Sequence, residues 1–250
     1  MTQATDLLRR SFCYRRLDAL GANYAEINRG AAPLDFGDAE AETEAAKAMA
    51  LADLSMLPRT GFKGSGTPEW LADQGVKVPE ESNRTTRQEG GALAARLAPA
   101  ELLILGDESG DGALIDKLNA AWWAEPRPPE TPRGFPVPRQ DSHAWFLVSG
   151  ARAAEMFAKI CAVDLRPHKF EDLQIAQTSV ARLSAVVIRN DRGGTLAYHL
   201  LFDSASATYL WDVLIDAMEE FDGRPVGLTA VRGLAPVSYT HLTLPTIYSV

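Results

Sequence analysis

Apolar positions along the chain fall into two halves that echo each other. Residues 102–107 (LLILGD) and 198–203 (YHLLFD) are short apolar runs closed by an acid, the pattern of a buried strand ending at a turn. Each precedes a helical stretch, in which Leu114, Asp116, Leu118 and Ala121 recur as Leu210, Asp212, Leu214 and Ala217. That spacing gives a helix with one apolar face. A second echo links residues 60–66 (TGFKGSG), ahead of Trp70 and Leu71, with residues 144–150 (AWFLVSG), ahead of Ala153, Met156, Phe157 and Ile160. Each half predicts strand, helix, strand or hairpin, strand, helix. The fold class is therefore α+β: a duplicated unit of mostly antiparallel sheet with helices on one face.

The intervening segments divide the chain. Residues 125–139 (EPRPPETPRGFPVPR) hold six prolines and predict an extended linker, incompatible with a helix or a central strand. Residues 35–53 are rich in Ala and Glu with acids early, which predicts a helix whose dipole those acids complement and whose charged face is solvated. The expected organisation is an N-terminal extension with this helix in 1–50, a first repeat in 51–124, the linker in 125–140 and a second repeat in 141–236. Residues 237–250 carry no Asp, Glu, Lys or Arg, and 237–246 (VSYTHLTLPT) back-translate to a transposon-end sequencing adapter. The tail is therefore expected to be an artefact joined to a truncated gene, and Tyr239 and His241 take no role.

Charge and cysteine content narrow the function. The 250 residues are 46% hydrophobic with a net charge of −8, against a nucleic-acid partner that requires a basic face. No apolar run reaches membrane-span length. Cys13 and Cys161 are the only cysteines, too few for a disulfide framework or a Cys-based metal cluster, so a reducing cytoplasmic compartment is expected.

Several clusters have a chemical reading, and each has a structural one that accounts for it better. Asp141, Ser142 and His143 supply the three triad residue types, but triad members come from separate elements, so these adjacent residues read as a strand entry. His143, His168 and His199 lack ligand spacing for a metal. Residues 64–69 (GSGTPE) lack the third glycine of a dinucleotide loop and the lysine of a phosphate loop. They predict a strand-to-helix turn capped by Thr67, with Pro68 first in the helix. Asp107, Glu108 and Asp111 surround Gly110 and Gly112 but break the calcium-loop spacing, which leaves an acidic turn. Of Trp122 and Trp123, one belongs in the core and the other at an edge or interface. Cys161 follows Phe157 and Ile160 as a small buried apolar residue.

Longer segments carry a resemblance. Residues 51–55 (LADLS), 59–64 (RTGFKG), 90–97 (GGALAARL), 163–167 (VDLRP), 176–178 (AQT) and 223–230 (GRPVGLTA), with Ser149-Gly150, Arg189 and Leu210-Trp211, together resemble the folate-binding aminomethyltransferase superfamily that contains the glycine-cleavage T-protein. Within it the chain is most similar to the gamma-subunit family of heterotetrameric sarcosine oxidase, mainly through VDLRP and AQT. The resemblance implies a duplicated α+β fold. Active relatives use an Asp after the Gly-Gly pair and a Glu in the strand before the Trp helix, the latter accepting the paired N–H donors of a pterin. Here the corresponding positions hold Ala94, Ala95 and His199, and residues 190–194 (NDRGG) replace the glycine-rich folate loop after Arg189.

The resemblance thus implies a non-catalytic subunit of a bacterial complex that oxidatively demethylates sarcosine and passes the one-carbon unit to tetrahydrofolate. No catalytic or metal residue is expected on this chain. FAD, FMN, NAD and tetrahydrofolate are expected on partner subunits of the alpha, beta and delta types, with Ala94, Ala95, Arg189 and His199 left as degenerate folate-pocket positions. The alternative is a folate-dependent aminomethyl or methyl transferase cut before its C-terminal barrel. A free-standing folate-binding accessory protein would resemble relatives with a reactive-cysteine motif, which neither Cys13 nor Cys161 matches.

Overall fold

The computed structural model describes residues 3–124, 126 and 130–234. The tail at 237–250, and residues 125 and 127–129 of the proline-rich segment, lie outside them. The chain opens with β1 (Arg9–Arg10), α1 (Tyr14–Ala19), β2 (Asn23–Ile27), β3 (Gly30–Asp35) and α2 (Ala39–Ala48). The first repeat comprises β4 (Ala50–Asp53), β5 (Arg59–Lys63), α3 (Thr67–Asp73), β6 (Arg84–Arg87), β7 (Leu93–Ala98), β8 (Glu101–Leu105) and α4 (Ala113–Ala124). The proline-rich segment supplies β9 (Phe135–Pro136). The second repeat follows with β10 (His143–Ser149), α5 (Ala153–Phe157), β11 (Ile175–Val180), β12 (Leu183–Arg189), β13 (Ala197–Asp203), α6 (Ala207–Glu219), β14 (Arg224–Pro225) and α7 (Leu228–Gly233).

The repeats build sheets with the same strand order. One runs β6-β7-β8-β5-β9 and the other β11-β12-β13-β10-β4-β14. The two echoed strands, β8 and β13, occupy matching places. β5 and β10, however, each lie beside a strand drawn from elsewhere in the chain. β4 immediately precedes β5 in sequence yet pairs antiparallel with β10, while β9 precedes β10 and pairs antiparallel with β5. β9 sits at a sheet edge, where Pro136 costs no interior ladder bond.

Side-chain alternation separates three apolar clusters. Leu93, Ala95, Leu97, Leu103 and Leu105 of one sheet meet Ala50, Ala52, Trp145, Leu147, Ile188 and Leu201 of the other in a layer between the sheets. Phe62, Ala94, Leu102 and Ile104 face outward onto Trp70 and Leu71 of α3 and Ile115, Leu118 and Trp122 of α4. On the opposite outside, Phe146, Val148, Tyr198, Leu200 and Phe202 pack on α5 and α6. The echoed helical residues Leu118 and Leu214 are both fully buried against their own sheets.

Three local expectations change. Residues 35–53 are not one helix, since β3 ends at Asp35 and β4 begins at Ala50. Asp38 caps α2 by accepting from the Ala41 amide at 3.0 Å. The acidic face is not wholly solvated: Glu42 is buried and accepts from the Phe36 and Gly227 amides at 2.6 and 2.8 Å. At α3 the N-cap is Gly66, with φ 78°, and Thr67 instead donates to the Gly64 carbonyl at 2.7 Å. A Cβ on Gly66 would lie 1.9 Å from the Pro132 carbonyl oxygen, so the proline-rich segment dictates that glycine.

A buried arginine ties the repeats together. Arg59, at the start of β5, donates to the carbonyls of Ser55, Leu57, Arg139, Gln140 and His143. Its guanidinium lies 5.9 Å from the centre of the Trp145 ring. Burial lowers its pKa to about 10, which leaves it charged at neutral pH. Asp53 supplies nearby negative charge and itself accepts from Ser11 Oγ and, at 2.8 Å, the Ser55 amide.

Candidate functional site

Alternation along the strands sends the four expected pocket positions to different layers. Ala95 faces the space between the sheets, whereas its neighbour Ala94 faces the outer helices α3 and α4. In β13, Ala197 and Leu201 point between the sheets while Tyr198 and Leu200 point outward, so His199 shares the inner layer with Ala95. Arg189, opposite Tyr198 in the ladder, lies on the outward side and donates to the Phe170 carbonyl at 2.5 Å. It also grips both oxygens of Asp191 at 2.9 and 2.5 Å. Of the four, only Ala95 and His199 lie in the layer between the sheets.

His199 is fully buried. The Trp145 indole donates to its Nδ1 at 3.0 Å, which fixes the neutral ring's proton on Nε2. Nε2 lies 3.2 Å from the side-chain amide nitrogen of Asn190, and Asn190 Oδ1 accepts from Arg87 Nε at 3.0 Å. With Nε2 protonated, it and the Asn190 amide nitrogen are both donors and make no hydrogen bond with each other. The N–H groups of Trp145, His199 and Asn190 therefore crowd this cluster. Burial, with a smaller contribution from Arg192, holds the His199 pKa well below the ordinary imidazole value.

This burial has a measurable consequence. Below about pH 6.5 the unfolded chain protonates His199 while the folded chain does not, so stability falls on acidification with a slope of up to about 1.4 kcal/mol per pH unit. His143 is shifted downward by burial and by Arg139 and Arg59 and contributes with the same sign. Asp53, raised by burial, contributes with the opposite sign. Urea midpoints measured from pH 7.5 to 5 should fall less steeply in His199→Gln than in the parent chain. Equal slopes would remove His199 as the source.

Ion pairs close the neighbouring loops over the sheet ends. Arg192 holds both carboxylate oxygens of Glu108 from the other repeat, and Arg232 donates to the Glu108 and Ser109 carbonyls at 2.9 and 3.2 Å. Arg87 reaches Asp172 at 2.8 Å. The acidic turn is similarly occupied, because Asp107 accepts from the Ser109 amide and Asp111 from the Ala113 amide. Sequence reasoning singled out residues 190–194 and the 107–111 cluster separately. Arg192 in the first run and the acids of the second were the available sign that they pair.

The triad-like run is also accounted for. His143 Nδ1 lies 2.8 Å from Ser142 Oγ, and Nε2 lies 3.2 Å from Arg139 Nη1. Arginine can only donate, so Nε2 accepts and Nδ1–H donates to Ser142. The serine thereby faces a donor, with no base to take its proton. These residues border an open groove of about 600 Å³ with Gln177, Thr178 and Asp203, away from His199.

A pterin presents paired N–H donors, and a site for it requires an acceptor such as a carboxylate. At Ala95 and His199 the chain offers a methyl group and an imidazole already hydrogen-bonded to an indole, amid further N–H donors. These residues do not fit the pterin.

Two α+β repeats with exchanged strands and an apolar layer between their sheets thus make up the fold. The chain belongs to the family of the GCVT N-terminal domain, whose model matches residues 92–235. An aminomethyltransferase of Mycobacterium leprae is 26% identical over 243 residues, covering 92% of this chain and 62% of the relative. One from Mycobacterium avium is 25% identical with the same coverage, so the chain spans less than two thirds of these relatives' length. Among solved structures, the Bartonella henselae glycine cleavage system aminomethyltransferase T superposes with a TM-score of 0.69 at 15% identity, over 91% of this chain and 62% of that one. A chain of the heterotetrameric sarcosine oxidase from Corynebacterium sp. U-96, in complex with pyrrole 2-carboxylate, superposes with a TM-score of 0.61 at 22% identity, over 86% of this chain and 96% of that one.

Proposed function

We propose that the chain is a non-catalytic gamma-type subunit of a sarcosine oxidase-like complex, in which FAD, FMN, NAD and tetrahydrofolate reside on partner subunits of the alpha, beta and delta types. The observation that carries this reading is the inner layer at Ala95 and His199, where acceptors for a pterin are replaced by a methyl group and a spent imidazole. The near end-to-end match to a sarcosine oxidase chain, 96% of its length, supports it. In such a complex this chain would contribute docking surface, and the cytoplasm is its proposed compartment.

Titration of the isolated chain with tetrahydrofolate, followed by calorimetry, tests the reading. No saturable heat is expected. Micromolar binding would overturn the claim that the pocket has lost its anchors. The second reading is a folate-dependent aminomethyl or methyl transferase, which the 26% identity to an aminomethyltransferase over 92% of this chain favours. An intact gene that continues in frame into a further domain would select it, whereas a stop soon after Pro236 beside genes for flavoprotein subunits would select the first.

A further inference from the structure

α1 and α6 leave an apolar groove of about 460 Å³ between them, floored by Ala19, Leu20, Ile215 and Pro225 over the Trp211 ring. Leu20 is half exposed. Arg16 clamps α1 to α6 through both oxygens of Asp212, at 2.9 and 2.8 Å, so the wall between the helices is held in place. Asp212, Asp216 and Glu219 follow one another at helical spacing along a single stripe of α6. Asp212 is neutralised by Arg16, but the side chains of Asp216 and Glu219 have no ion pair or hydrogen bond among the described residues. The groove thus combines an exposed apolar floor with two uncompensated negative charges on one rim, on a chain whose net charge is −8.

We propose that this groove seats an amphipathic helix of a partner polypeptide, with aliphatic side chains one turn apart on the floor and lysine or arginine facing Asp216 and Glu219. A helix laid in a groove buries its apolar face on such a floor, and the unpaired rim selects the sign of the flanking charge and steers its approach. The proposal rests on the reading of the chain as a subunit and names where one partner docks.

The probe is a fluorescein-labelled amphipathic helical peptide of leucine and lysine, followed by fluorescence anisotropy with the full chain. Ile215→Glu, and separately Asp216→Lys with Glu219→Lys, should weaken binding about tenfold. Glu80→Lys with Glu81→Lys makes the same charge change at exposed positions outside the groove and should leave binding within about twofold. Unchanged unfolding midpoints establish that each variant is folded. Equal binding by the parent chain and the groove variants, or equal weakening by the Glu80 and Glu81 reversals, overturns the proposal. Sedimentation that shows a concentration-dependent dimer abolished by Ile215→Glu overturns it in favour of a second copy. Failure of the subunit reading shows separately, as saturable tetrahydrofolate binding.

Discussion

Replacing Arg59 with leucine should destabilise the chain by about 3–5 kcal/mol, the loss expected when several buried carbonyls are left without their donor. The side chain is 3% exposed, and leucine would remove the donors that serve five carbonyls at once, three of them from residues 139–143. It would also strip Asp53 of its nearby positive charge. Buried acceptors left without donors lose roughly 1–3 kcal/mol each where nothing replaces the bond. Gln140 softens this by also donating to the Ser55 and Leu57 carbonyls, at 3.2 and 3.3 Å. Arg59→Lys keeps the charge but not the planar fork and should fall between parent and leucine variant. Urea unfolding followed by circular dichroism measures the series. A loss below about 1 kcal/mol, the scale of an exposed pair, would show that the carbonyl cage contributes little.

Gly150→Ala should be the second severe change. Gly150 has φ 116°, and a Cβ there would lie 2.3 Å from the Ala48 carbonyl carbon and oxygen and 2.6 Å from the Met49 amide nitrogen. The backbone cannot simply retreat. Gly150 donates to the Leu196 carbonyl at 2.9 Å, while the next two amides donate to the Lys47 and Ala48 carbonyls at 2.9 and 3.1 Å. The conformation alone is unfavourable for alanine by about 1–3 kcal/mol, and forced overlap adds about 1–3 kcal/mol more. Gly194 separates the two contributions, because its φ is 84° but nothing lies within 4 Å of its missing Cβ. Gly194→Ala should therefore lose only the conformational part. Thermal unfolding of the pair decides the matter: equal losses would mean that contact with the end of α2 is unimportant.

The duplication was legible in the sequence because each repeat contributes a full strand and a long helix to its own apolar layer. The pattern at 102–107 and 198–203 records burial on both faces, and the following helices record one face. The exchange of β4 and β9 left no such mark. Strands of four and two residues are too short for periodicity, and their partners are fixed by pairing across nearly a whole repeat. Arg59 was hidden for a different reason: arginine ordinarily marks the surface, and the carbonyls that reverse this come from distant turns. At the candidate site, the resemblance pointed to Ala94, Ala95, Arg189 and His199 as degenerate folate-pocket positions. It could not show that Ala94 and Arg189 face away, because that depends on strand register. Trp145 read only as part of an apolar strand, although its indole holds the ring proton of His199 on Nε2.

The crossed strands bear on how such a duplication persists. A gene that copies itself in tandem normally retains the option of fission, since each copy carries everything its fold needs. Here the strand just ahead of β5 sits in the second copy's sheet, and the strand just ahead of β10 sits in the first copy's. Cutting at the proline-rich segment would leave neither strand with its sheet, so the halves are committed to one polypeptide. The ribosome faces the same constraint: β4 must wait for β10 to emerge before its ladder closes, which makes this a long-range and slow-forming part of the fold.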